Sequence, residues 1–426
     1  MLKRSGIRRF DEPPDDGPAV TILGIDDPGD LCPSAAALLE GATLVAGPAR
    51  LLGGVLPRLN PRCRTIPLAG GLGAWLSEVR ESFEAGGTVI LADGDPNFFG
   101  LGARVIGAFA GHRVAMRPAP TAVQKAFALM GVSWAGVEVV SLHGRNDRGA
   151  FYSALFRAGQ PTGPGRLAVY TDPVNGPAAI ASAAMARGQL NWKITVFQDL
   201  GLPGQRIWSG DLAKAAKTEF SPLNLVVLER LGPQEALSIG SPESAYDHEA
   251  GLITKSEVRT AALGLLELGG DETMWDLGCG SGSVSLEAAL LLRHGRLLAV
   301  ERDPRRAAQA RENRSRYGTA HLEIIEGPAL EVIPDLPAPD RVFVGGGGRQ
   351  LEALLQGVLG FMAPGGVAVV AVVRLDSLDA AISSLSRTGL PISVTQISAA
   401  RGEPLADSLL LKPINPVFLV KGRVPK

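Results

Sequence analysis

Asp276-Leu277-Gly278-Cys279-Gly280-Ser281-Gly282 is the stretch that decides the fold of the C-terminal half. A short apolar run, residues 273–275, precedes it, and a run typical of a helix, Val284 to Leu292, follows it. The order is therefore strand, glycine turn, helix. Glycine at every second position lets the backbone approach a ligand that side chains would repel. The turn also places that ligand near the free N–H groups of a helix N-terminus.

The spacing around this turn indicates the kind of ligand. Glu301 ends the next apolar strand, where a carboxylate can accept both ribose hydroxyls of a nucleoside. The dinucleotide fingerprint G-x-G-x-x-G would require a third glycine where Ser283 stands. An acid two residues before the first glycine, here Asp276, suits the amino-acid end of S-adenosylmethionine better than a pyrophosphate. A glycine turn without any ligand is the remaining alternative.

Length and composition limit the class of protein. A chain of 426 residues exceeds one comfortable core, so two domains are expected. Apolar residues make up 46% and the net charge is -1, which does not fit a polyelectrolyte binder of nucleic acid. The longest apolar runs, such as Val367 to Val373, have strand length and are too short to cross a bilayer.

The chain ends, the cysteines and the basic residues add expectations about location and substrate. Residues 1–18 are expected to form a disordered tail rather than a signal peptide. Three cysteines without paired spacing predict neither a disulfide framework nor a zinc site, so a reducing cytoplasm is expected. Arginines number 33 of the 42 basic residues. Either a GC-rich coding bias or a polycarboxylate substrate, which arginine binds bidentately, explains that excess.

Apolar strand-like runs alternate with helical runs along almost the whole chain, which predicts an α/β architecture. The predicted strands of the N-terminal half are 20–25, 43–46, 88–92, 113–116, 137–142, 167–170, 193–197 and 225–228. Those of the C-terminal half are 273–275, 297–300, 322–325, 341–344, 367–373, 392–397 and 417–420, after a helix over 255–268. The predicted domains are 19–232 and 251–426, joined by a Gly, Pro, Ser and acid-rich linker over 233–250.

Loops after the parallel strands of the C-terminal half should face one ligand crevice. Residues 326–329, with Gly327 and Ala329, close the third strand and leave room for an adenine edge. Residues 345–348 are four glycines that close the fourth strand, where the acceptor should lie. They lack the Asn/Asp-Pro-Pro-aromatic loop that holds an amine, which favours a bulky acceptor whose nucleophile is a carbon. Six arginines that follow the second strand, at 302, 305, 306, 311, 314 and 316, are predicted to form a solvated helix face.

The segment before the first helix of this half carries charged residues of its own. Thr254 is predicted to be the N-cap of that helix, with Glu257 as its capping-box partner. Lys255 and Arg259 stand at i and i+4 and are predicted to meet a carboxylate of the acceptor. Lys255, Glu257 and Arg259 are therefore the candidates for positioning the substrate.

Two stretches of the C-terminal half, G-L-I-T-K-S-E-V-R at 251–259 and W-D-L-G-C-G-S-G-S-V at 275–284, resemble one known family. They are similar to the decarboxylating C15-methyltransferases of corrin biosynthesis, which have the class I Rossmann-like methyltransferase fold. The resemblance covers nearly the whole C-terminal half. With the residues singled out above, it implies a set of S-adenosylmethionine contacts: Thr254, Asp276, Gly278, Cys279, Gly280, Ser281, Gly282, Glu301, Gly327 and Ala329.

The N-terminal half offers three loops at predicted strand ends. Residues 92–100, A-D-G-D-P-N-F-F-G, follow one strand, and P-A-P-T-A-V-Q at 118–124 follows the next, with Thr121 a predicted N-cap. His143 ends the strand after that. A structural imidazole and a functional one remain equally open for His143.

These loops, together with T-D-P-V-N-G-P-A-A-I at 171–180 and F-S-P-L-N-L-V-V-L-E-R at 220–230, resemble the tetrapyrrole methylase family, a class III methyltransferase fold. The likeness is to its C5-methylating corrin branch. It implies these cofactor contacts: Asp93, Gly94, Asp95, Phe98, Thr121, Ala122 and Leu142. The first loop departs from the family, because residues 24–30 lack the usual run of glycines after Gly24.

A fusion of the two families in this order resembles the bifunctional precorrin-6Y C5,15-methyltransferases (decarboxylating) of cobalamin biosynthesis. The resemblance implies one S-adenosylmethionine in each domain, a polycarboxylate tetrapyrrole (precorrin-6Y) as substrate, precorrin-8 as product and a homo-oligomer, with no nucleic acid or membrane partner. The chemistry implies no nucleophile, no metal and no triad, and it identifies no catalytic residue. The alternatives are a methyltransferase fusion acting on RNA or protein, and a protein in which one domain is a non-catalytic S-adenosylmethionine sensor.

Overall fold

A computed structural model describes residues 20–144, 148–249, 251–346, 348–387 and 389–425. The predicted disordered tail, residues 1–18, lies outside the described residues. The described residues form two compact units, one within Met1–Ala135 and Phe197–Arg206 and the other within Gly136–Val196 and Ile207–Lys426.

A parallel sheet of five strands organises the first unit, in the order β3-β2-β4-β1-β5. The strands are β1 Val20–Ile25, β2 Leu44–Gly47, β3 Arg64–Pro67, β4 Thr88–Asp93 and β5 Val114–Arg117. The helices are α1 Pro33–Glu40, α2 Ala49–Val55, α3 Leu72–Glu81, α4 Gly102–Ala108 and α5 Ala122–Met130. Every residue of β1 is buried, and its alternate side chains enter two different apolar clusters. Burial on both faces explains why this strand is continuously apolar in sequence.

Most of a second five-stranded sheet lies in the second unit, in the order β6-β7-β10-β8-β9. Its strands are β6 Glu138–Ser141, β7 Arg166–Tyr170, β8 Trp192–Gln198, β9 Arg206–Asp211 and β10 Asn224–Arg230. The helices are α6 Gly149–Gly159, α7 Pro177–Ala186 and α8 Leu212–Ala215. The sheet is mixed, because β6 runs parallel to β7 and β10 runs antiparallel to it.

The rest of the second unit contains a seven-stranded sheet in the order β13-β12-β11-β14-β15-β19-β16. Its strands are β11 Thr273–Leu277, β12 Arg296–Glu301, β13 Leu322–Glu326, β14 Arg341–Val344, β15 Val367–Val372, β16 Ile392–Ile397 and β19 Val417–Arg423. Between β16 and β19, β17 Ala400–Leu405 and β18 Ser408–Pro413 form a separate two-stranded hairpin. The helices are α9 Ser256–Leu266, α10 Ser283–Leu291, α11 Pro304–Arg316, α12 Ala329–Val332, α13 Leu351–Phe361 and α14 Leu375–Arg387. Apolar clusters cover both faces of the sheet.

Strand directions bring the functional loops of this sheet to one edge. The five strands from β13 to β15 are parallel, β19 is antiparallel to β15, and β16 is antiparallel to β19. The direction of β16 is therefore that of β11. The loops after β11, β12, β13, β14 and β16 all leave the same carboxyl edge, where ligands of open α/β sheets bind.

The predicted strands of both halves are confirmed, with small shifts at their ends. Four strands were not predicted: β3, β9, β17 and β18. Their side chains are mostly exposed, so the apolar runs that mark the other strands are weak or interrupted. In β17, glycine and proline at 402 and 404 are typical of a loop, and only its pairing with β18 makes it a strand.

Candidate functional site

The glycine turn after β11 has the backbone that only glycine adopts readily. Gly278, Gly280 and Gly282 have φ of 76°, 55° and 78°, in the left-handed region. Gly282 is the N-cap of α10, so the turn delivers the chain directly into a helix N-terminus. A Cβ added at Gly280 would meet no atom within 4 Å, so that face of the turn is open to a ligand.

Glu301, at the end of β12, is the carboxylate placed beside this turn. The side chain is almost fully buried and accepts hydrogen bonds from the backbone N–H groups of Gly280 and Asp303, both at 2.9 Å. Arg306 Nη2 lies 3.3 Å from Oε1 of Glu301, the oxygen that also accepts the Asp303 hydrogen bond. The prediction that Arg306 belongs to a solvated face is therefore wrong, because this side chain turns back from the first turn of α11 to the site carboxylate.

Asp276 is the most perturbed carboxyl group of the site. It is fully buried at the end of β11, and Ser285 Oγ donates a hydrogen bond to Oδ2. Burial, with the Glu301 charge as a further contribution, raises the pKa of Asp276 to about 7. The second oxygen, Oδ1, is buried and has no hydrogen-bond partner among the described residues. An unsatisfied carboxylate oxygen beside an open glycine turn fits a cationic ligand group, such as the ammonium of S-adenosylmethionine.

The other predicted contacts of this half lie around the same edge. Gly327 N donates to the Glu301 carbonyl oxygen at 3.0 Å, and Ala329 begins α12 directly after it. Gly345 N donates to the Leu277 carbonyl oxygen at 3.0 Å, which ties the fourth loop to the glycine turn. Of the four-glycine loop, Gly347 lies outside the described residues.

Cys279 and Ser281, between the three glycines, are buried. Burial raises the pKa of the Cys279 thiol well above its ordinary value, so this cysteine is a neutral packing group. Ser281 offers its backbone carbonyl to Asn313 Nδ2 at 3.0 Å. Any contact of these two residues with a cofactor would therefore come from the backbone of the turn.

The start of α9 differs from the predicted capping box. The helix begins at Ser256, with Lys255 as its N-cap residue and no side-chain cap from Thr254. The free N–H of Ser256 is satisfied instead by Glu243 Oε1 at 2.9 Å, and the Glu257 carboxylate is bound by Arg401. The capping-box prediction is wrong because a distant carboxylate, brought in by tertiary structure, takes the place of the local one.

Arg259 does not face the substrate crevice. Its side chain is 0% exposed, and Nε lies 2.7 Å from Oε1 of Glu287, which is also 0% exposed. Nη1 donates to the Thr254 carbonyl oxygen at 2.6 Å, and Nη2 donates to the carbonyl oxygen of Ser241. The prediction that Arg259 meets an acceptor carboxylate is therefore wrong. Lys255, which is partly buried, keeps that role as a prediction.

Glu287 also holds part of the predicted linker onto α10. Its carboxylate accepts hydrogen bonds from Gly240 N at 2.9 Å, Ser241 N at 3.1 Å and Tyr246 Oη at 2.8 Å. Because α10 starts at the glycine turn, this network fixes the segment before α9 relative to that turn. Sequence spacing contains no signal for a partner 28 residues away from Arg259.

In the first unit, three loops meet around Gly24 at the end of β1. A Cβ added there would lie 2.0 Å from the Gly94 carbonyl oxygen and 2.7 Å from Ala119 N. Gly94 N donates to the Ile25 carbonyl oxygen at 3.0 Å, and Ala119 N donates to the Gly94 carbonyl oxygen at 3.2 Å. Gly94 itself has a φ of 63°. The loops after β1, β4 and β5 are thus brought together, and glycine is required at Gly24, where they meet.

The remaining predicted contacts of this unit surround that point. Thr121 is the N-cap of α5, as predicted, and Ala122 is the first residue of the helix. Thr121 also forms a full capping box with Gln124. Asp93 pairs with Arg50, and Asp95 Oδ1 accepts a hydrogen bond from Asn97 N at 2.8 Å. The Phe98 ring packs edge to face against the neighbouring Phe99 ring. Their contacts with a cofactor stay predictions.

The loop after β1, residues 24–30, lacks the glycines usual in the family but carries acidic side chains. Asp26, two residues after Gly24, forms an ion pair with Lys125 on α5. Burial lowers the pKa of Lys125. The loop that lacks the usual glycines is therefore anchored by an ion pair.

Leu142, in the second unit, is fully buried in the apolar cluster around α6 and α7, and its backbone N donates to the Tyr170 carbonyl oxygen at 2.9 Å. Nδ1 of His143 lies 3.3 Å from the Thr171 carbonyl oxygen, the kind of bond that the structural interpretation of this histidine expects.

The described residues contain no group of three or more His, Cys, Asp or Glu side chains arranged to hold a metal ion. No helix in the described ranges is long and apolar enough to span a bilayer.

Comparison with known proteins matches two different family models to two separate parts of the chain. Residues 23–216 match the family model of tetrapyrrole (corrin/porphyrin) methylases, and residues 244–422 match that of the precorrin methyltransferase domain. A precorrin-6Y C(5,15)-methyltransferase [decarboxylating] from Sinorhizobium sp is 29% identical over 419 residues, which are 95% of this chain and 96% of the relative.

Two further relatives match the C-terminal half. A probable cobalt-precorrin-6B C(15)-methyltransferase (decarboxylating) from Pyrobaculum aerophilum is 38% identical over 184 residues, which are 42% of this chain and 94% of that relative. The crystal structure of a precorrin-6Y C5,15-methyltransferase from Geobacter metallireducens is 36% identical, covers 43% of this chain and 98% of its own, and superimposes with a TM-score of 0.42. The chain belongs to the decarboxylating precorrin-6Y C5,15-methyltransferase family, with a class III tetrapyrrole methylase domain followed by a class I precorrin methyltransferase domain.

Proposed function

We propose that this chain uses S-adenosylmethionine to methylate precorrin-6Y at C5 and C15 and removes carbon dioxide from the ring C acetate, giving precorrin-8. The observation that carries the proposal is the presence of both domains in one chain, aligned over 95% of its length with a relative of that name. The precorrin methyltransferase domain performs the C15 methylation and the decarboxylation, and the tetrapyrrole methylase domain performs the C5 methylation.

In the precorrin methyltransferase domain, named residues suit each part of the cofactor. Glu301 would accept the ribose hydroxyls, the turn from Gly278 to Gly282 would lie against the amino-acid end, and Asp276 would receive the ammonium group. S-adenosylmethionine supplies an electrophilic methyl group. Holding that methyl group in line with a carbon nucleophile provides an effective molarity equivalent to about 7–11 kcal/mol.

The acceptor side of this site is made of backbone rather than of acids and bases. The loop after β14 begins with Gly345 and Gly346, and a Cβ added at Gly346 would meet no atom within 4 Å, so this loop leaves space at the carboxyl edge of the sheet. A meso carbon of a reduced tetrapyrrole is enamine-like and needs no general base, and the conjugated imine of the macrocycle accepts the electrons of decarboxylation. The chain's contribution is to anchor the acceptor's other carboxylates through cationic side chains such as Lys255, and to exclude water from the leaving carboxylate.

The same proposal assigns one S-adenosylmethionine to each domain, with domain bounds of 19–232 and 251–426. In the tetrapyrrole methylase domain, the loops that meet at Gly24 and Gly94 would hold the second molecule, with Thr121 and Ala122 beside them. A cytoplasmic location is supported by the three free cysteines.

A homo-oligomer is supported by the hairpin formed by β17 and β18. Its leucines are 54–68% exposed: Leu405, Leu409, Leu410 and Leu411. A paired strand with this much exposed apolar surface is a liability in a monomer and is normally covered. We propose that a second copy of the chain covers it. Replacing Leu410 with Glu should then lower the molar mass measured by light scattering, and an unchanged mass would contradict the assignment.

The test is mass spectrometry of the tetrapyrrole after incubation of the full chain with precorrin-6Y and methyl-labelled S-adenosylmethionine. We expect two labelled methyl groups to be gained and one carbon dioxide to be lost. The Glu301→Ala variant should lose the C15 methylation, and Gly24→Ala should lose the C5 methylation.

Three results would contradict parts of this proposal. Label recovered in RNA or protein but not in the tetrapyrrole would favour a different methyltransferase. A product with the C15 methyl group alone would reduce the N-terminal domain to a sensor. Calorimetry that finds a single cofactor equivalent at saturation would exclude one site per domain.

A further inference from the structure

Arg401, on the hairpin strand β17, binds side chains that lie 144 to 158 residues earlier in the sequence. Nε and Nη2 donate to the two oxygens of Glu257 at 2.8 and 2.7 Å. Nη1 and Nη2 donate to the two oxygens of Glu243 at 2.7 and 2.9 Å, and Nη2 also reaches Ser256 Oγ at 3.1 Å. One guanidinium therefore binds two carboxylates, each bidentately, which is the strongest geometry for such pairs.

Both glutamates are ionised by this arrangement. Hydrogen bonds from Arg401 lower the pKa of Glu243 and of Glu257 to about 2 each. Since Glu243 also accepts the free N–H of Ser256, both negative charges lie at the positive N-terminus of α9. The cluster contains two negative charges and one guanidinium, so its charge balance depends on Arg401.

The cluster lies at the carboxyl edge of the sheet, where the acceptor site is proposed. The hairpin starts at Ala400, three residues after the end of β16, and that strand has the direction of β11. Its base therefore leaves the same carboxyl edge as the glycine turn and the loop after β14. Lys255, the cation predicted to hold an acceptor carboxylate, is the residue directly before Ser256 and Glu257, which Arg401 holds.

We propose that Arg401 is a positioning residue for the acceptor of the precorrin methyltransferase domain. It fixes the base of the hairpin and the backbone of Lys255 relative to each other, and it neutralises carboxylates that would repel a polyanion. This inference rests on the function proposed above. Loss of Arg401 would misplace Lys255 and expose two negative charges, and both changes weaken the binding of a tetrapyrrole with many carboxylates. The cationic S-adenosylmethionine is not repelled by exposed glutamates.

The test uses the full chain and measures carbon dioxide release with the tetrapyrrole varied at saturating S-adenosylmethionine. Arg401→Ala should raise KM for the tetrapyrrole about tenfold or more with a smaller change in kcat, because the acceptor is held out of place. The dissociation constant of S-adenosylmethionine, measured by calorimetry, should stay within about twofold, because Arg401 binds Glu243, Ser256 and Glu257 while Glu301 and the turn from Gly278 to Gly282 stay in place. Arg401→Lys should recover part of KM, since lysine keeps the charge but cannot bind two carboxylates bidentately.

Charge removal distinguishes this role from a purely structural one. In the Arg401→Ala background, Glu257→Gln should lower KM again, because it removes one repelling charge, whereas a structural role predicts a further loss. Arg387→Ala is the matched control, since this arginine forms an exposed ion pair with Glu352 on another face. The inference is overturned if Arg401→Ala leaves KM unchanged, or if KM and the cofactor constant rise together. If the unmodified chain releases no carbon dioxide from the tetrapyrrole, the proposed function fails first, and this inference with it.

Discussion

Replacing Arg259 with Met should destabilise the second unit without weakening the acceptor site directly. The change removes the ion pair with Glu287 and leaves the carbonyl oxygens of Thr254 and Ser241 without their guanidinium donors. Breaking one side of a fully buried pair costs about 3–5 kcal/mol. Glu287 keeps two backbone N–H donors and the Tyr246 hydroxyl, so we expect the loss to fall toward the lower end of that range.

Differential scanning calorimetry and urea unfolding measure this loss. The melting temperature of the second unit should fall by roughly 2–4 °C per kcal/mol lost. The double variant Arg259→Met with Glu287→Leu should lose less than the sum of the single variants, because no uncompensated charge stays buried. As a control, Arg387→Ala removes an exposed pair and should change stability by less than about 1 kcal/mol.

The reasoning is refuted if Arg259→Met costs less than about 1 kcal/mol. It is also refuted if the variant keeps full stability and loses affinity for the tetrapyrrole, because that result would return Arg259 to the substrate-positioning role that its burial excludes.

The remaining predictions concern the two cofactor sites. Gly24→Ala, whose Cβ would lie 2.0 Å from the Gly94 carbonyl oxygen, should abolish C5 methylation in the mass-spectrometric assay, whereas Gly53→Ala, which meets no atom within 4 Å, should leave it intact. Glu301→Ala should lower the affinity of one of two S-adenosylmethionine sites about tenfold or more in calorimetry, since hydrogen bonds to a charged group contribute about 1.5–3 kcal/mol each, and an unchanged affinity would contradict its role. Burial raises the pKa of Asp276 to about 7, so the folded chain holds this proton more tightly than the unfolded chain does. The resulting contribution to stability is complete below the ordinary carboxyl pKa and is lost as pH rises from there through about 7. A cationic ligand favours the carboxylate, so binding near pH 7 should release protons, seen as a heat that depends on the buffer, and Asp276→Asn should release none from this group.

The sequence was sufficient for the strands that form the cores. Runs such as Val20–Ile25 and Val367–Val372 are apolar because helices cover both faces of their sheets, and this burial can be predicted from composition alone. The turn from Gly278 to Gly282 was equally predictable, because left-handed backbone at alternate positions requires glycine. Edge strands such as β17 were not, since their pairing partner rather than their side chains makes them strands.

The roles of charged side chains were decided by tertiary structure. Sequence spacing placed Lys255 and Arg259 on one helical face, but it could not show that Glu287 lies inside the protein opposite Arg259. Arg401 is 144 and 158 residues from the two glutamates it binds, Glu257 and Glu243, and no local pattern predicts such pairs. The positions of glycines and apolar runs are determined by local backbone conformation and by burial, and both can be inferred from a single sequence. Ion pairs depend on which distant segments the fold brings within a few ångströms, and only the folded chain determines that.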